Sequence, residues 1–160
     1  MSERFPVTPA TIFLREKKVQ FEEHLYDYKK SGAVVAARQM GVDEHSTIKT
    51  LVMEDEDRQP LIMLMHGDRE VSTKELAKQL GVKRVSPCSP RDAQRYTGYM
   101  VGGISPFGMK RNLPVYVEEA ILDLPLIYIN AGRRGYLVSM KPGELRRTLD
   151  PKVVSVARQT

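Results

Sequence analysis

The sequence of 160 residues lacks tryptophan and contains one cysteine and three histidines. The single cysteine, Cys88, cannot form an internal disulfide bond, and His24, His45 and His66 do not follow the short spacings of metal-ligand motifs. The most apolar run covers only residues 61–65, and the first ten residues lack the basic and apolar segments of a secretory signal. These absences predict a cytoplasmic protein without a metal, a cofactor or a membrane span.

Basic residues exceed acidic ones, with 25 Lys and Arg against 20 Asp and Glu and a net charge of +5. This excess favours a polyanionic partner such as RNA. Acidic residues collect at positions 54–57, whereas the cations form pairs in separate segments, an arrangement suited to phosphate contacts. For any one pair, a solvated surface is the simpler interpretation. The pairs are Lys29-Lys30, Lys83-Arg84, Lys110-Arg111, Arg133-Arg134 and Arg146-Arg147.

The chain length and a hydrophobic content of 41% predict one domain over residues 1–160. Helix signals recur along it, each a capping residue or a proline before an apolar stripe, with glycine after several of them. Ser72 and Glu75 match a capping box. The predicted helices begin at Pro9, Ala33, Thr73 and Pro90, and a terminal helix follows Pro142.

Strand signals, which are β-branched, aromatic or continuously apolar segments, lie between these helices. They cover residues 19–28, 46–53, 60–65, 115–118, 126–130 and 136–140. The second and third are joined by a short charged segment, which predicts a hairpin. Helices and strands do not alternate regularly, so we expect an α+β fold in which helices flank a curved, partly barrel-like mixed sheet.

Two local features are candidates for chemistry. Lys49 lies inside an apolar strand, where an inward-facing lysine has to line a cavity because burying an unpaired ammonium is costly, although alternation alone favours solvent. Gly102 and Gly103 open a loop that lets backbone groups approach a ligand, and Pro106 fixes its exit. A nucleophilic Cys88 has no partner that spacing identifies.

Together these segments resemble the YbaK / prolyl-tRNA synthetase-associated editing domain family (ProX-like). Four motifs carry the resemblance in order and spacing across nearly the whole chain. They are Thr8-Pro9-Ala10, Lys49-Thr50-Leu51, residues 97–106 with Gly108, and Gly132-Arg133-Arg134-Gly135.

The resemblance implies a trans-acting deacylase that hydrolyses the ester of mischarged tRNA, often tRNA(Pro), without metal or cofactor. Mischarged tRNA is the implied partner, and a complex with prolyl-tRNA synthetase stays open. A catalytically idle tRNA-binding module and a hydrolase of another small ester are the alternatives. The implied catalytic positions are Lys49 and Gly102, and the implied substrate contacts are Tyr26, Thr50, Gly103, Ile104, Ser105, Pro106, Asn130 and Gly132. The candidate tRNA contacts come from the basic pairs and are Lys110, Arg111, Arg133 and Arg134.

The last motif departs from the branch of the family that removes cysteine. That branch has a serine where this chain has Asn130, and an aspartate where this chain has Leu137. These differences argue against a cysteine substrate and leave alanine, serine, threonine or a small non-protein amino acid open. A pocket distinguishes such side chains by only about 1–3 kcal/mol per methylene group, so the sequence does not select among them.

Overall fold

The computed structural model describes residues 5–27 and 33–158. Two short 3-10 helices, Glu44–Ser46 and Glu119–Asp123, supplement the α-helices of this described part. The α-helices are Pro9–Glu16 (α1), Ala33–Met40 (α2), Thr73–Leu80 (α3), Pro90–Thr97 (α4) and Gly143–Leu149 (α5). The strands are Glu22–Leu25 (β1), Thr47–Asp55 (β2), Pro60–His66 (β3), Glu70–Val71 (β4), Val85–Pro87 (β5), Val115–Glu118 (β6), Ile127–Arg133 (β7), Tyr136–Met140 (β8), Lys152–Val154 (β9) and Ala157–Arg158 (β10).

Eight strands form one mixed sheet in the order β1-β8-β7-β2-β3-β6-β9, and β5 also pairs with β2. The β2–β7, β3–β6 and β6–β9 pairs are parallel, while the other pairs of this sheet are antiparallel. The strands β4 and β10 form a separate two-stranded sheet. The predicted α+β architecture with a mixed sheet flanked by helices is confirmed.

Two apolar clusters cover opposite faces of the central strands. The main cluster includes Ile48, Val52 and residues of α1 and α4, whereas the second cluster includes Met53, Met65 and residues of α3. Because successive side chains of a strand point to opposite faces, β2 and β3 contribute to both clusters in turn. All seven residues of β3 are buried as a result, which explains its continuously apolar sequence.

The predicted helix ends are largely confirmed. Ser72 accepts a hydrogen bond from the backbone of Glu75 at 3.2 Å, and Gly81 ends α3 with φ +74°. The capping box is only half formed, because the Ser72 backbone N–H donates to the Val156 carbonyl instead. At α1 the hydroxyls of Thr8 and Thr11 form a complete reciprocal cap.

Several sequence-based boundaries need correction. The strand predicted at residues 19–28 is Glu22–Leu25, and position 28 lies outside the described residues, as do Lys29 and Lys30. The helix α5 is not terminal, since β9 and β10 follow it. The strands β4 and β5 were also missed, because two or three residues carry no readable alternation. No helix in the described part of the chain is long and apolar enough to span a membrane.

Candidate active site

Lys49 and Asn130 occupy neighbouring positions in the sheet. Ile48 of β2 is paired with Ile129 of β7 in parallel register, so the next residue of each strand lies beside the other. Ile48 and Ile129 both belong to the main cluster, so Lys49 and Asn130 both face the opposite side of the sheet. Asn130 is in turn paired with Leu137 of β8. The fold therefore brings two residues from distant motifs onto one face.

Asn130 connects this face to the glycine loop. Its side-chain amide donates to the Gly102 carbonyl at 3.0 Å, and its amide oxygen accepts from the Gly132 backbone at 2.9 Å. The strand pairing of β7 with β8 shifts between Asn130 and Arg133, which marks an irregularity at this point. Three of the predicted substrate-binding and catalytic positions thus form one hydrogen-bonded unit.

The glycines of the loop are required by close packing. A Cβ atom on Gly103 would lie 2.9 Å from the backbone Cα and C atoms of Arg133. Gly102 has φ +95°, and a Cβ there would lie 2.8 Å from the Arg134 side chain. Glycine tolerates the positive φ at position 102, and at position 103 it lacks the Cβ atom that would overlap the Arg133 backbone.

The rest of the loop is mostly buried. Ser105 is fully buried and its hydroxyl accepts from the Phe107 backbone at 3.3 Å, while Pro106 is buried beside it. Ile104 is half-buried and packs against the main cluster. In this geometry Ser105 and Pro106 shape the loop from inside, and their direct contact with substrate stays a prediction.

The edge of β2 is open beside the loop. One edge of β2 is paired with β3 along most of its length. On the other edge β7 pairs with residues 47–48 and β5 with residues 53–55, and no described strand pairs there with residues 49–52. Val52 accepts from the Cys88 backbone on this edge, and by alternation Thr50 directs its backbone groups the same way. The hydroxyl oxygen of Thr50 is buried and has no hydrogen-bond partner among the described residues. By alternation the Thr50 side chain lies on the face of Ile48 and Val52, opposite to Lys49, whereas its backbone groups face the open edge. These backbone groups are therefore its candidate ligand contact.

Tyr26 lies at the end of β1 next to the turn between β7 and β8. Its backbone N–H donates to the Gly135 carbonyl at 2.9 Å, and its side chain is half-buried. His24, two residues earlier, pairs with Leu137. The alternation of β1 therefore directs Tyr26 to the same face as His24, Leu137 and Asn130.

The ammonium group of Lys49 donates to the Arg69 carbonyl. Burial lowers the pKa of Lys49 below the usual lysine value, and the carboxylates of Glu70, Asp68 and Glu44 oppose this shift. The side chain is half-buried rather than solvated. Since a lysine ammonium has three donors, this bond leaves others for a substrate oxygen.

A polar cluster beside Lys49 was not anticipated from the sequence. His45 Nδ1 lies 2.8 Å from Asp68 Oδ1, and the rings of His45 and His66 stack with centroids 3.7 Å apart. His66 Nδ1 donates to the His45 carbonyl at 2.7 Å, and burial lowers the pKa of His66. The β2–β3 hairpin register pairs Ile48 with His66, so the hairpin predicted from the sequence was a signal that His66 lies close to Lys49.

The same cluster is the candidate metal site of the described residues. Ligand atoms of His45, His66 and Asp68 lie within 4.8 Å of one another. Both Nδ1 atoms are already hydrogen-bonded, however, and the ring planes differ by only 5°. Imidazole lone pairs lie in the ring plane, so parallel rings do not direct them at one ion. The buried Nε2 of His66 has no hydrogen-bond partner within the described part of the chain.

The model of the aminoacyl-tRNA editing domain family matches residues 29–148. The chain belongs to this family. The resemblance inferred from its motifs is thereby confirmed, and the editing class is a class of hydrolases. All the elements from β2 to β8 lie within the matched segment, so Lys49, Asn130 and the glycine loop are parts of an editing domain.

Two curated relatives place this editing domain in context. One, from Enterococcus faecalis, is named "Putative Cys-tRNA(Pro)/Cys-tRNA(Cys) deacylase EbsC"; it is 31% identical over 137 residues, which is 84% of either chain. The other is the proline–tRNA ligase of Limosilactobacillus fermentum, 26% identical over 134 residues. That match covers 79% of this chain but 23% of the ligase, so the editing domain corresponds to one segment of a larger enzyme.

A solved structure has the same fold. It is titled "Crystal structure of a putative trans-editing enzyme for prolyl tRNA synthetase", and it superposes with a TM-score of 0.84 at 20% identity. The match covers 96% of this editing domain and 99% of the solved chain. At this identity the comparison establishes the fold.

The four basic residues predicted to contact tRNA fall into two groups. Arg133 is exposed at the turn between β7 and β8, next to the glycine loop, and Arg134 packs against that loop. Lys110 and Arg111 instead bond through their backbones to Thr97 and Tyr96 at the end of α4. The guanidinium of Arg111 lies 4.9 Å from the Tyr96 ring centroid. The two groups are held on different elements.

Cys88 has no character of a nucleophile in this editing domain. Burial and the neighbouring Glu54 carboxylate raise the pKa of its thiol to about 12. The reactive form of cysteine is the thiolate, which this environment disfavours at neutral pH. Cys88 is therefore not a candidate nucleophile at neutral pH.

Proposed function

We propose that this editing domain hydrolyses the ester bond of mischarged aminoacyl-tRNA in trans. The observation that carries the proposal is the placement of Lys49 beside Asn130, which fastens the glycine loop to the same site. The backbone groups of Thr50 on the open edge of β2 give further support. We assign these groups to the end of a charged tRNA.

The proposed reaction needs little covalent help from the protein. A water oxygen bonds to the ester carbonyl carbon, the ester C–O bond breaks, and a proton from the water goes to the departing ribose oxygen. An aminoacyl ester is already activated, so positioning it and stabilising the developing oxyanion account for the catalysis. The Lys49 ammonium and the backbone N–H group of Gly102 are the donors that we assign to these tasks. The N–H group of Gly103 already donates to the Met100 carbonyl at 2.9 Å.

We propose that the reaction proceeds without a metal. The support is that the imidazole Nδ1 atoms of His45 and His66 are engaged in hydrogen bonds, and that a charged donor, Lys49, is already present. In this scheme the lysine takes the electrostatic role that a metal has in other hydrolases.

For the partner, we propose the acceptor end of tRNA(Pro). The match to a segment of a proline–tRNA ligase and the name of the Enterococcus faecalis relative support this choice. Arg133 is exposed beside the loop, where a cation can contact phosphate. A prolyl-tRNA synthetase carrying the tRNA is the larger assembly that this proposal allows.

The amino acid removed is proposed to be small and uncharged. Leu137, where the cysteine-removing branch has an aspartate, is buried and paired with Asn130. The site face at these two positions therefore presents an amide and an aliphatic side chain, and no carboxylate. Alanine, serine and threonine are the first candidates, and cysteine is included in the test because of the relative named above.

The test is release of amino acid from tRNA(Pro) charged separately with alanine, serine, threonine, cysteine and proline. The variant is Lys49→Ala, and the matched control is Lys152→Ala, which removes an exposed lysine of β9. We expect hydrolysis of at least one mischarged species, prolyl-tRNA spared, and at least a hundredfold loss in Lys49→Ala alone. Binding of the tRNAs without hydrolysis, or equal rates for wild type and Lys49→Ala, would contradict the proposal.

A further inference from the structure

The turn between β3 and β4 holds the ammonium of Lys49. The Lys49 side chain donates to the carbonyl of Arg69 in this turn. The carboxylates whose charge favours the ammonium come from three elements: Glu70 from β4, Asp68 from the turn and Glu44 from the 3-10 helix. The position of the ammonium therefore depends on how firmly the turn is fixed.

Asp68 braces this turn through both oxygens of its carboxylate. One oxygen accepts from His45 Nδ1 at 2.8 Å, and the other accepts from the Arg69 guanidinium at 2.9 Å. The same guanidinium nitrogen also donates to the Asp68 carbonyl at 3.1 Å. The Arg69 side chain is thus folded back on Asp68, which leaves the Arg69 carbonyl directed to Lys49.

The pKa of Asp68 reflects this bracing. Burial acts to raise it, but the hydrogen bond from His45 and the charges of His45 and Arg69 outweigh burial and lower the pKa. Charge-assisted hydrogen bonds of this kind are among the stronger ones in proteins. The carboxylate is held as an anion with both oxygens engaged.

His45 is itself fixed on three sides. Its ring stacks on His66, its carbonyl accepts from His66 Nδ1, and its backbone N–H donates to the Asp43 side chain at 3.0 Å. His66 is only 1% exposed. The cluster of His45, His66 and Asp68 is therefore a rigid support anchored on β3.

We propose that Asp68, held by His45, is a positioning residue for Lys49 in the deacylation reaction, acting through the carbonyl of Arg69. This inference rests on the proposed function. Its physical basis is that a misplacement of about 1 Å in a catalytic group reduces rates by up to about a hundredfold. Neither Asp68 nor His45 belongs to the motifs from which the site was predicted.

The experiment compares wild type with Asp68→Asn, which keeps the shape of the side chain and removes its charge. Asp57→Asn is the matched control, because Asp57 is exposed in the turn between β2 and β3. Two quantities are measured: deacylation across a pH series, and the titration of Lys49 by NMR of protein carrying ¹³C-methylated lysines. The Lys49 signal is assigned by its absence in Lys49→Arg.

We expect Asp68→Asn to reduce kcat/KM by about tenfold or more. Removal of the carboxylate also takes away a charge that favours the ammonium, so the pKa of Lys49 should fall. The alkaline decline of activity should move to lower pH by the same amount. A second variant, His45→Phe, keeps a ring against His66 and removes only the donor to Asp68; it should lower activity in the same direction.

A purely structural role would lower the melting temperature of Asp68→Asn and leave the Lys49 titration unchanged, and that result overturns the proposal. Wild-type activity in Asp68→Asn would overturn it as well. If wild type hydrolyses no aminoacyl-tRNA, the proposed function fails, while the NMR titration still reports whether Asp68 controls Lys49. The two failures are therefore distinguishable.

Discussion

The side chain of Asn130 bridges the glycine loop and its own strand, donating to the Gly102 carbonyl at 3.0 Å and accepting from the Gly132 backbone at 2.9 Å. Only an amide of this length supplies both a donor and an acceptor at these two points. The bridge connects the loop to the face of the sheet on which Lys49 lies.

Replacement of Asn130 by aspartate should uncouple the loop from β7. A carboxylate cannot donate to the Gly102 carbonyl and instead places two acceptors face to face. Loss of an exposed hydrogen bond of this kind costs about 1 kcal/mol. We expect at least a tenfold loss of deacylation and a lower urea midpoint. Asn112→Asp, at an exposed position, is the control. Full activity in Asn130→Asp would show that the bridge is dispensable.

Replacement of Gly103 by alanine should displace the loop by steric overlap. The new Cβ would lie 2.9 Å from Arg133 backbone atoms, which cannot move as a side-chain end can. Overpacking of this kind costs about 1–3 kcal/mol. The midpoint of urea unfolding and the rate of deacylation should both fall. Gly143→Ala, where nothing lies within 4 Å of the new atom, should leave both unchanged; equal effects in the two variants would refute the steric argument.

Replacement of Arg133 and Arg134 by alanine should weaken tRNA binding in a salt-dependent way. Each lost phosphate contact reduces the slope of log K against log salt by about 0.7–0.9. Binding is measured by titration at several salt concentrations. The control is Arg146→Ala. Arg146 lies on α5, which follows the end of β8, whereas the turn at Arg133 precedes the start of that strand. An unchanged slope in the double variant would remove this turn from the tRNA contact surface.

Replacement of Cys88 by alanine should leave deacylation within about twofold of wild type, because a thiol whose pKa is raised to about 12 is not a nucleophile at neutral pH. Alkylation of Cys88 by iodoacetamide should be slow in the folded protein and fast in urea. Loss of activity in Cys88→Ala with an unchanged melting temperature would reverse this conclusion.

The rate of deacylation should fall at alkaline pH. Burial lowers the pKa of Lys49, so its charged form is lost as the pH rises through a value below that of an ordinary lysine. Aminoacyl esters also hydrolyse spontaneously in base, and the rate with Lys49→Ala gives the background to subtract. A corrected rate that keeps rising with pH would show that the ammonium form of Lys49 is not required.

Local structure was largely predictable, because its determinants lie within a few residues. Ser72 and Gly81 delimit α3 through contacts with their own helix, and the hairpin of β2 and β3 follows from its two apolar segments. The short strands β9 and β10 were not predictable, since each exists through pairing with a distant segment. The half-formed capping box at Ser72 also depends on a distant segment, because the Ser72 backbone N–H donates to the Val156 carbonyl.

The sequence alone determined the family and the order of the main elements, and it indicated a glycine loop at positions 102 and 103. The need for glycine there follows from the packing of the loop against Arg133 and Arg134. Alternation alone favoured solvent for Lys49, whereas the structure holds its side chain half-buried, with the ammonium donating to the Arg69 carbonyl. Only the tertiary structure set Lys49 beside Asn130 and brought His45, His66 and Asp68 together. The physical reason is register: pairing between strands far apart in sequence is fixed by the packing of the whole sheet, and a shift of one residue would turn Lys49 to the other face.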